Sequence, residues 1–446
     1  MGSVNEIRRS TGELGLEAQK LLKLENQYCV GGFLPLPAYI SRGNGVVLFD
    51  ADGKSYLDFI AMFSAGNLGQ CHPKLVRTVV ELASKSKLVT LANAALRVAE
   101  WPPFAEMMCK RFGYDQINAT VSGTEAADAA VKIARKWGLQ VKKVPQDRIK
   151  VLGVGNNYHG LSSGIWPIME PTDRRKGFGV TDPSLSNLNP STGEVLRYGS
   201  VEDMEKCLAE HHQNVAAVMM ECIHGHAPTF QEDIDFARGV ALLYKKYGVL
   251  FISDKVRMGA GKTGRWLCSE WLGPDVKADM IVLGKSLTGG AYPASFVLGN
   301  KETMSLVTPY TCAGTFANTP LGIACARTAT EIIDEEGLVE RTAEIGRRFV
   351  EWTKDWKQRF PYIAFATNRG ADLQLVMKPD CGQDFDARRF AALAMSKGLL
   401  THPLHGSVRM SVPMVITDEQ LLKGFQILEE TASELKDYDF IAGDNM

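Results

Sequence analysis

What the 446-residue chain lacks narrows its class first. Nine cysteines are scattered from Cys29 to Cys381 with no CxxC pair among them. An odd, dispersed set argues against a disulfide framework or a zinc site and fits buried thiols in a reducing compartment. The net charge of −1 offers no electrostatic footprint for nucleic acid or an anionic membrane. Apolar runs such as VAAVMM (215–220) are too short to span a bilayer. The opening MGSVNEIRRST has no signal-like apolar stretch, and Glu6 breaks the myristoylation pattern. There is no repeat and no low-complexity segment, and the 42 glycines and 19 prolines are spread out, so no region reads as disordered. What is present, 45% hydrophobic and 23% charged residues, suits a globular protein of two or three domains. The expectation is a cytoplasmic, enzyme-sized protein with small-molecule partners and no nucleic-acid, membrane or metal partner.

Residues 1–30 read as a polar amphipathic arm. From Val30 the pattern alternates apolar and polar residues, with turns at RGNG and DADG, which predicts a small antiparallel meander. Helical periodicity follows over 74–87 and 99–114. NATVSGTEAADAAVKIARKWG (118–138) predicts a short strand, a Ser122-Gly123-Thr124 turn and an Ala-rich helix. Free backbone N–H groups at such a helix start can cup an anion, although Ser and Thr are also ordinary caps. The spacing is not that of a nucleoside-triphosphate loop. Four or more apolar strands then alternate with helices through 115–300, which argues for a mostly parallel sheet between helical layers. Three of those strands end on chemistry: Glu221 after VAAVMM, Asp254 after LFIS, and Lys285 just after MIVLG. A Thr/Gly-rich loop (308–322) precedes a helix over 320–336. The text from there to a last helix near 417–436 reads as a separate α+β lobe.

Taken alone, a lysine after a buried strand is most often a surface group. Four features together suit one cofactor. Lys285 can form an imine with an aldehyde. Asp254 can pair with a protonated ring nitrogen, the Ser122-Gly123-Thr124 turn can hold a phosphate, and Tyr158, at a strand exit, can stack on a ring. Pyridoxal 5′-phosphate has all four groups.

The segments VSGTEAADAAVKIARK, ISDKVRMGAGKTGRW, VLGKSLTGGAYP and GTFANTPLG resemble, in order, the motifs of the class III (ω-type) aminotransferases, with the ornithine enzymes most similar. The likeness covers roughly 30–435. It implies an α/β protein of PLP fold type I: a large domain with a mostly parallel sheet sandwiched by helices, plus a smaller α+β domain. The expected boundaries are 1–75 (arm and part of the small domain), 76–325 (large, cofactor-binding) and 326–446 (small). It also implies a homodimer with shared active sites, an amino donor and a keto-acid acceptor. By position, Lys285 is implied as the Schiff-base lysine and proton shuttle, Asp254 as the partner of the ring nitrogen, and Val256 and Tyr158 as the two ring-face contacts. Ser122, Gly123 and Thr124 are implied at the phosphate, and Thr315 at the phosphate of the partner subunit's cofactor. Glu221 is implied near the ring oxygen and Arg409 at a substrate carboxylate.

Several positions depart from the family pattern. The usual D-E-V-Q is Asp254-Lys255-Val256-Arg257, which puts an extra cation near the ring oxygen unless both side chains turn away. Where the ornithine enzymes have Arg after the aromatic-x-Gly, this chain has Leu161; two of their tyrosines are Phe33 and Phe63; their acid that masks the carboxylate-binding Arg is His226. These changes predict a donor other than ornithine with a more apolar body. His224 and His226 form an H-G-H pair with no accompanying ligand cluster, so a metal is not expected; a second acid/base at the cofactor is the alternative role. The alternatives to transamination are a racemase, epimerase, aminomutase or decarboxylating enzyme of the same fold, or a non-enzymatic homologue, against which the retained Lys285 and Asp254 argue.

Overall fold

The structure, a computed structural model, describes residues 9–444 except 31, 85–95, 170–174, 180, 226 and 405. The chain divides into two compact units, Pro73–Val339 and the remainder on either side of it.

The larger unit holds a seven-stranded sheet. In chain order its strands are β1 (Gln116–Thr120), β2 (Lys150–Leu152), β3 (Leu185–Ser186), β4 (Val215–Met220), β5 (Leu250–Asp254), β6 (Met280–Leu283) and β7 (Ser295–Gly299), and their spatial order is β1-β7-β6-β5-β4-β2-β3. Neighbours pair in parallel except β7, which is antiparallel to both β6 and β1. The mostly parallel sheet is as expected. The antiparallel strand is an addition that the residues 295–299 did not announce. Every residue of β4, β5, β6 and β7 is buried, as strands covered on both faces must be.

The covering helices start and stop on recognisable chemistry. Helix α1 (Gly123–Gln140) opens with a capping box in which the Ser122 hydroxyl accepts from the Glu125 N–H and the Glu125 carboxylate reaches back to the Ser122 N–H. Helix α2 (Val201–His211) is capped by Ser200. Helix α3 (Phe230–Tyr247) has a second capping box, Thr229 with Glu232, and ends on Gly248 at φ 61°, a left-handed C-terminal glycine. Helix α4 (Pro320–Glu335) opens on proline behind a Thr319 cap.

The smaller unit contains two four-stranded sheets. One is antiparallel throughout, in the order 363–369, 372–377, 407–411, 402–404. The other is the predicted meander, 40–44, 47–50 and 55–58, extended by 399–400 in parallel. Their core includes Phe59, Phe349, Trp356, Phe390 and Phe425.

Straight after the meander, Ala61, Met62, Phe63 and Ser64 all take positive φ, at 43°, 46°, 55° and 74°. This is a left-handed turn made without glycine, which costs ~1–2 kcal/mol for each residue. The surroundings hold it. The Asp58 carboxylate accepts the N–H groups of Ile60 and Ala61, both at 2.8 Å. The Gly66 N–H closes back on the Ala61 carbonyl at 2.8 Å. The Ser64 and Ser411 hydroxyls bond at 3.0 Å and tie the turn to strand 407–411.

Gly138 lies in α1 where a Cβ would sit 2.6 Å from Ala216 Cβ and 2.7 Å from Ile149 Cδ1. Alanine normally stabilises a helix interior over glycine by ~1 kcal/mol. Here overpacking, at ~1–3 kcal/mol, reverses the sign. Gly138→Ala is expected to lower Tm by roughly 2–4 °C in a thermal melt, where an uncrowded helix glycine would raise it.

Candidate active site

The carboxyl ends of β5 and β6 are neighbours, with Val282 in register with Asp254. Asp254 is the last residue of β5, and its side chain is 3% exposed. One carboxylate oxygen accepts the Val256 N–H at 2.9 Å, and the other lies 2.7 Å from His159 Nδ1. Among the described residues it has no Lys or Arg partner in an ion pair. A buried carboxylate so placed is suited to a cationic partner. His159 is fully buried, and its Nε2 has no hydrogen-bond partner among the described residues. Sequence reading passed over this histidine. Its partner is far away in the chain, and Tyr-His-Gly looks like loop punctuation.

Lys285 follows β6 after one extended residue, Gly284, and begins a 3-10 turn that Gly289 closes at φ 60°. Lys285 itself is half-buried and sits at φ 49°, strained for a residue with a side chain. The turn is pressed against β7: a Cβ on Gly284 would meet Ser295 Oγ at 2.4 Å.

The start of α1 approaches the same strand ends. A Cβ on Gly123 would lie 2.9 Å from Val256 Cγ1, and one on Gly160 would lie 2.0 Å from Thr124 Oγ1. The Ser122 hydroxyl is spent on the cap, while the first N–H groups of a helix have no acceptor inside it. Gly123 and Thr124 therefore offer an anion cup beside Val256.

Glu221 follows β4 and is buried. It accepts the Tyr158 N–H at 2.8 Å and lies 3.1 Å from His224 Nε2 and 3.9 Å from Arg257 Nε. Burial pushes its pKa up, but His224, then Arg257 and His159, outweigh burial and hold the carboxyl below its ordinary range. Arg257 also donates to the His224 carbonyl at 2.6 Å. Lys255 is buried and donates to Ser253 Oγ at 2.5 Å, and that hydroxyl lies 2.9 Å from Cys222 Sγ. Burial pushes the Cys222 thiol up, yet Cys268, Lys255 and Ser253 together pull it below its ordinary value. Of the two added cations, Lys255 thus serves a buried thiol cluster and Arg257 the Glu221 carboxylate.

The remaining sequence candidates are more dispersed. Thr315 is exposed in the loop before α4, and Leu161 is 46% exposed in the loop after Gly160. His226 lies outside the described residues. Phe33, Phe63 and Arg409 belong to the smaller unit. There Arg409 Nε lies 3.8 Å from the Asp372 carboxylate and pairs across the ladder with His402. The His402 ring meets Phe63 edge-on at 4.6 Å, and Phe63 meets Phe33 at 5.6 Å. His402 is a second residue that sequence reading missed. Among the described residues no cluster of three or more His, Cys, Asp or Glu could hold a metal, and no helix is long and apolar enough to cross a membrane.

Residues 32–432 match the family Aminotransferase class-III. The chain belongs to the class III aminotransferases. An ornithine aminotransferase of Schizosaccharomyces pombe is 35% identical over 93% of this chain and 94% of its own length. Among solved structures, the ornithine aminotransferase of Toxoplasma gondii, described with PLP at its active site, matches at TM-score 0.85 and 28% identity, over 94% of this chain and 95% of that one. The acetylornithine aminotransferase of Elizabethkingia anophelis matches at TM-score 0.80 and 31% identity, over 94% and 99%. This class III protein is thus a PLP-dependent transaminase of fold type I. The buried Asp254 carboxylate, with His159 but no Lys or Arg beside it among the described residues, and the Gly123 cup fit a cationic ring nitrogen and a phosphate.

Two outcomes follow from this geometry. His159→Ala removes a hydrogen bond to a charged group, worth ~1.5–3 kcal/mol, so PLP release on dialysis is expected to be about 10–100-fold easier. His402 responds to acid. Burial, then the charges of Arg409 and Arg388, lower its pKa to about 4. An unfolded histidine titrates near ~6.5, so between these values the unfolded chain binds a proton that the folded chain does not. The stabilising contribution is present above the upper value and is lost as pH falls toward the lower. Urea midpoints measured from pH 7 to 4.5 are expected to fall more steeply for the wild type than for His402→Gln.

Proposed function

We propose that this enzyme moves an amino group between a carboxylate-bearing donor other than ornithine and a keto-acid or aldehyde acceptor. The observation that carries this reading is Leu161, an exposed apolar side chain beside the Gly160–Thr124 contact. The ornithine enzymes carry an arginine in that place of the motif. A leucine supplies neither the charge nor the fork that a carboxylate needs. Phe33 and Phe63, where those enzymes have tyrosines, support a donor with an apolar body.

Bound pyridoxal 5′-phosphate supplies an aldehyde that carries the amino group and a ring that accepts the electron pair released at the substrate carbon. The chain's own groups do the rest. With the cofactor bound, Lys285 Nζ would hold it and would take and return the proton at the substrate carbon. Asp254, oriented by His159 and the Val256 N–H, would keep the ring nitrogen protonated. Val256 and Tyr158 would hold the ring faces and Gly123 and Thr124 the phosphate, while Ser122, expected there from the sequence, is committed to the capping box that shapes the turn. Glu221, tied to Arg257, stands at the ring-oxygen side. Arg409 takes the donor carboxylate. The chain acts as a homodimer in which Thr315 reaches the phosphate of the partner subunit's cofactor, a role suited to its exposure.

A donor screen on the purified holoenzyme, read by the cofactor's absorbance, tests the proposal. An apolar-bodied amino acid is expected to convert the cofactor from its aldehyde to its amine form. Full conversion by ornithine at the lowest donor concentration of the series would overturn it.

A further inference from the structure

The strained turn Ala61–Ser64 and His402 have been given no role so far. They share one face of the smaller unit. In the antiparallel ladder Gln374, Arg409 and His402 lie directly opposite one another and so project to the same side. The turn is fixed to that strand set through Ser64 and Ser411, at 3.0 Å. Phe63 thereby lies edge-on against the His402 ring. Phe33, 64% exposed, extends the aromatic surface. Its segment is pinned by Arg388, which donates to the carbonyls of Leu34 and Pro35 at 3.5 and 3.4 Å. The result is an apolar surface with an arginine at its edge.

We propose that His402 and the left-handed turn determine donor specificity: they hold Phe63 as an apolar wall beside Arg409 that accepts a carboxylate-bearing donor with a flat or branched uncharged side chain and disfavours one with a second ammonium group. His402 is a positioning residue, acting through Phe63. The turn matters because strain of this kind persists only where the surroundings over-determine it, and such strain concentrates at ligand clamps. A right-handed turn of the same four residues would point Phe63 elsewhere. The charge pattern agrees: a cationic side chain against this wall would meet the guanidinium groups of Arg409 and Arg388, whose charges already bear on His402.

This inference rests on the non-ornithine reading above. The experiment separates the two. Steady-state kcat/KM is measured for phenylalanine, leucine and ornithine with holoenzyme of the wild type, Phe63→Leu and His402→Gln, with cofactor absorbance and circular dichroism used to confirm loading and folding. The wild type is expected to favour phenylalanine or leucine over ornithine by at least about ten-fold, the scale of one apolar contact. In Phe63→Leu the phenylalanine-to-leucine ratio is expected to fall. In His402→Gln the preference over ornithine is expected to fall about ten-fold, carried by KM for the apolar donor. Equal loss for all three donors, in kcat, would mean a merely structural role and would overturn the wall. A wild type that prefers ornithine would overturn the underlying reading before any variant is compared.

Discussion

A carboxylate buried at the end of a central strand is costly unless something answers its charge. Asp254 is that group, and the larger unit is arranged around the cost. His159 and the Val256 N–H take one hydrogen bond each, and the proposed ring nitrogen would complete the set. The neighbouring strands β4 and β6 are apolar along their whole length, and the polar groups beside Asp254, namely Ser253, Lys255 and Glu221, each have a partner of their own. Glycines at 123 and 284 let the helix start and the lysine turn approach Val256, just past that strand end, and Gly160 lets the histidine loop close on Thr124 at the helix start. The energetic logic is that of a preformed socket: the fold orients the charge before the cofactor arrives.

The smaller unit spends stability differently. Its left-handed turn is unfavourable by about 4–8 kcal/mol in sum, repaid by Asp58, the Ser64–Ser411 bond and the packing of Phe59 against Gly424 and Phe425. One unit thus stores an electrostatic demand and the other a conformational one.

Much of this was legible in the sequence. Glu221 and Asp254 close unbroken apolar runs and Lys285 follows one, and in a mostly parallel sheet such ends face a ligand. The Ser122–Glu125 capping box and Gly248 could be read from their spacing. What could not be read depends on contacts distant in the chain. His159 gains its meaning only from Asp254. The positive φ of Ala61–Ser64 has no sequence signal, since none of the four is glycine, and it is imposed by neighbours. The reversal of β7 hid in a short apolar run after a glycine-rich turn. Lys255 and Arg257 were visible as substitutions, but both lie past the end of β5, in a turn where strand alternation no longer fixes which way a side chain points. One went to the Ser253–Cys222 cluster and the other to Glu221.

The antiparallel β7 has one more consequence. Because β6 and β7 pair as a hairpin, with Leu283 opposite Phe296, the lysine turn is closed by a contact between near neighbours in the chain. Asp254 reaches its place only through a long crossover between parallel strands. Loop-closure entropy makes the first event early and the second late. The lysine turn is therefore set by local order, and the Asp254 end of the sheet depends on contacts that close longer loops.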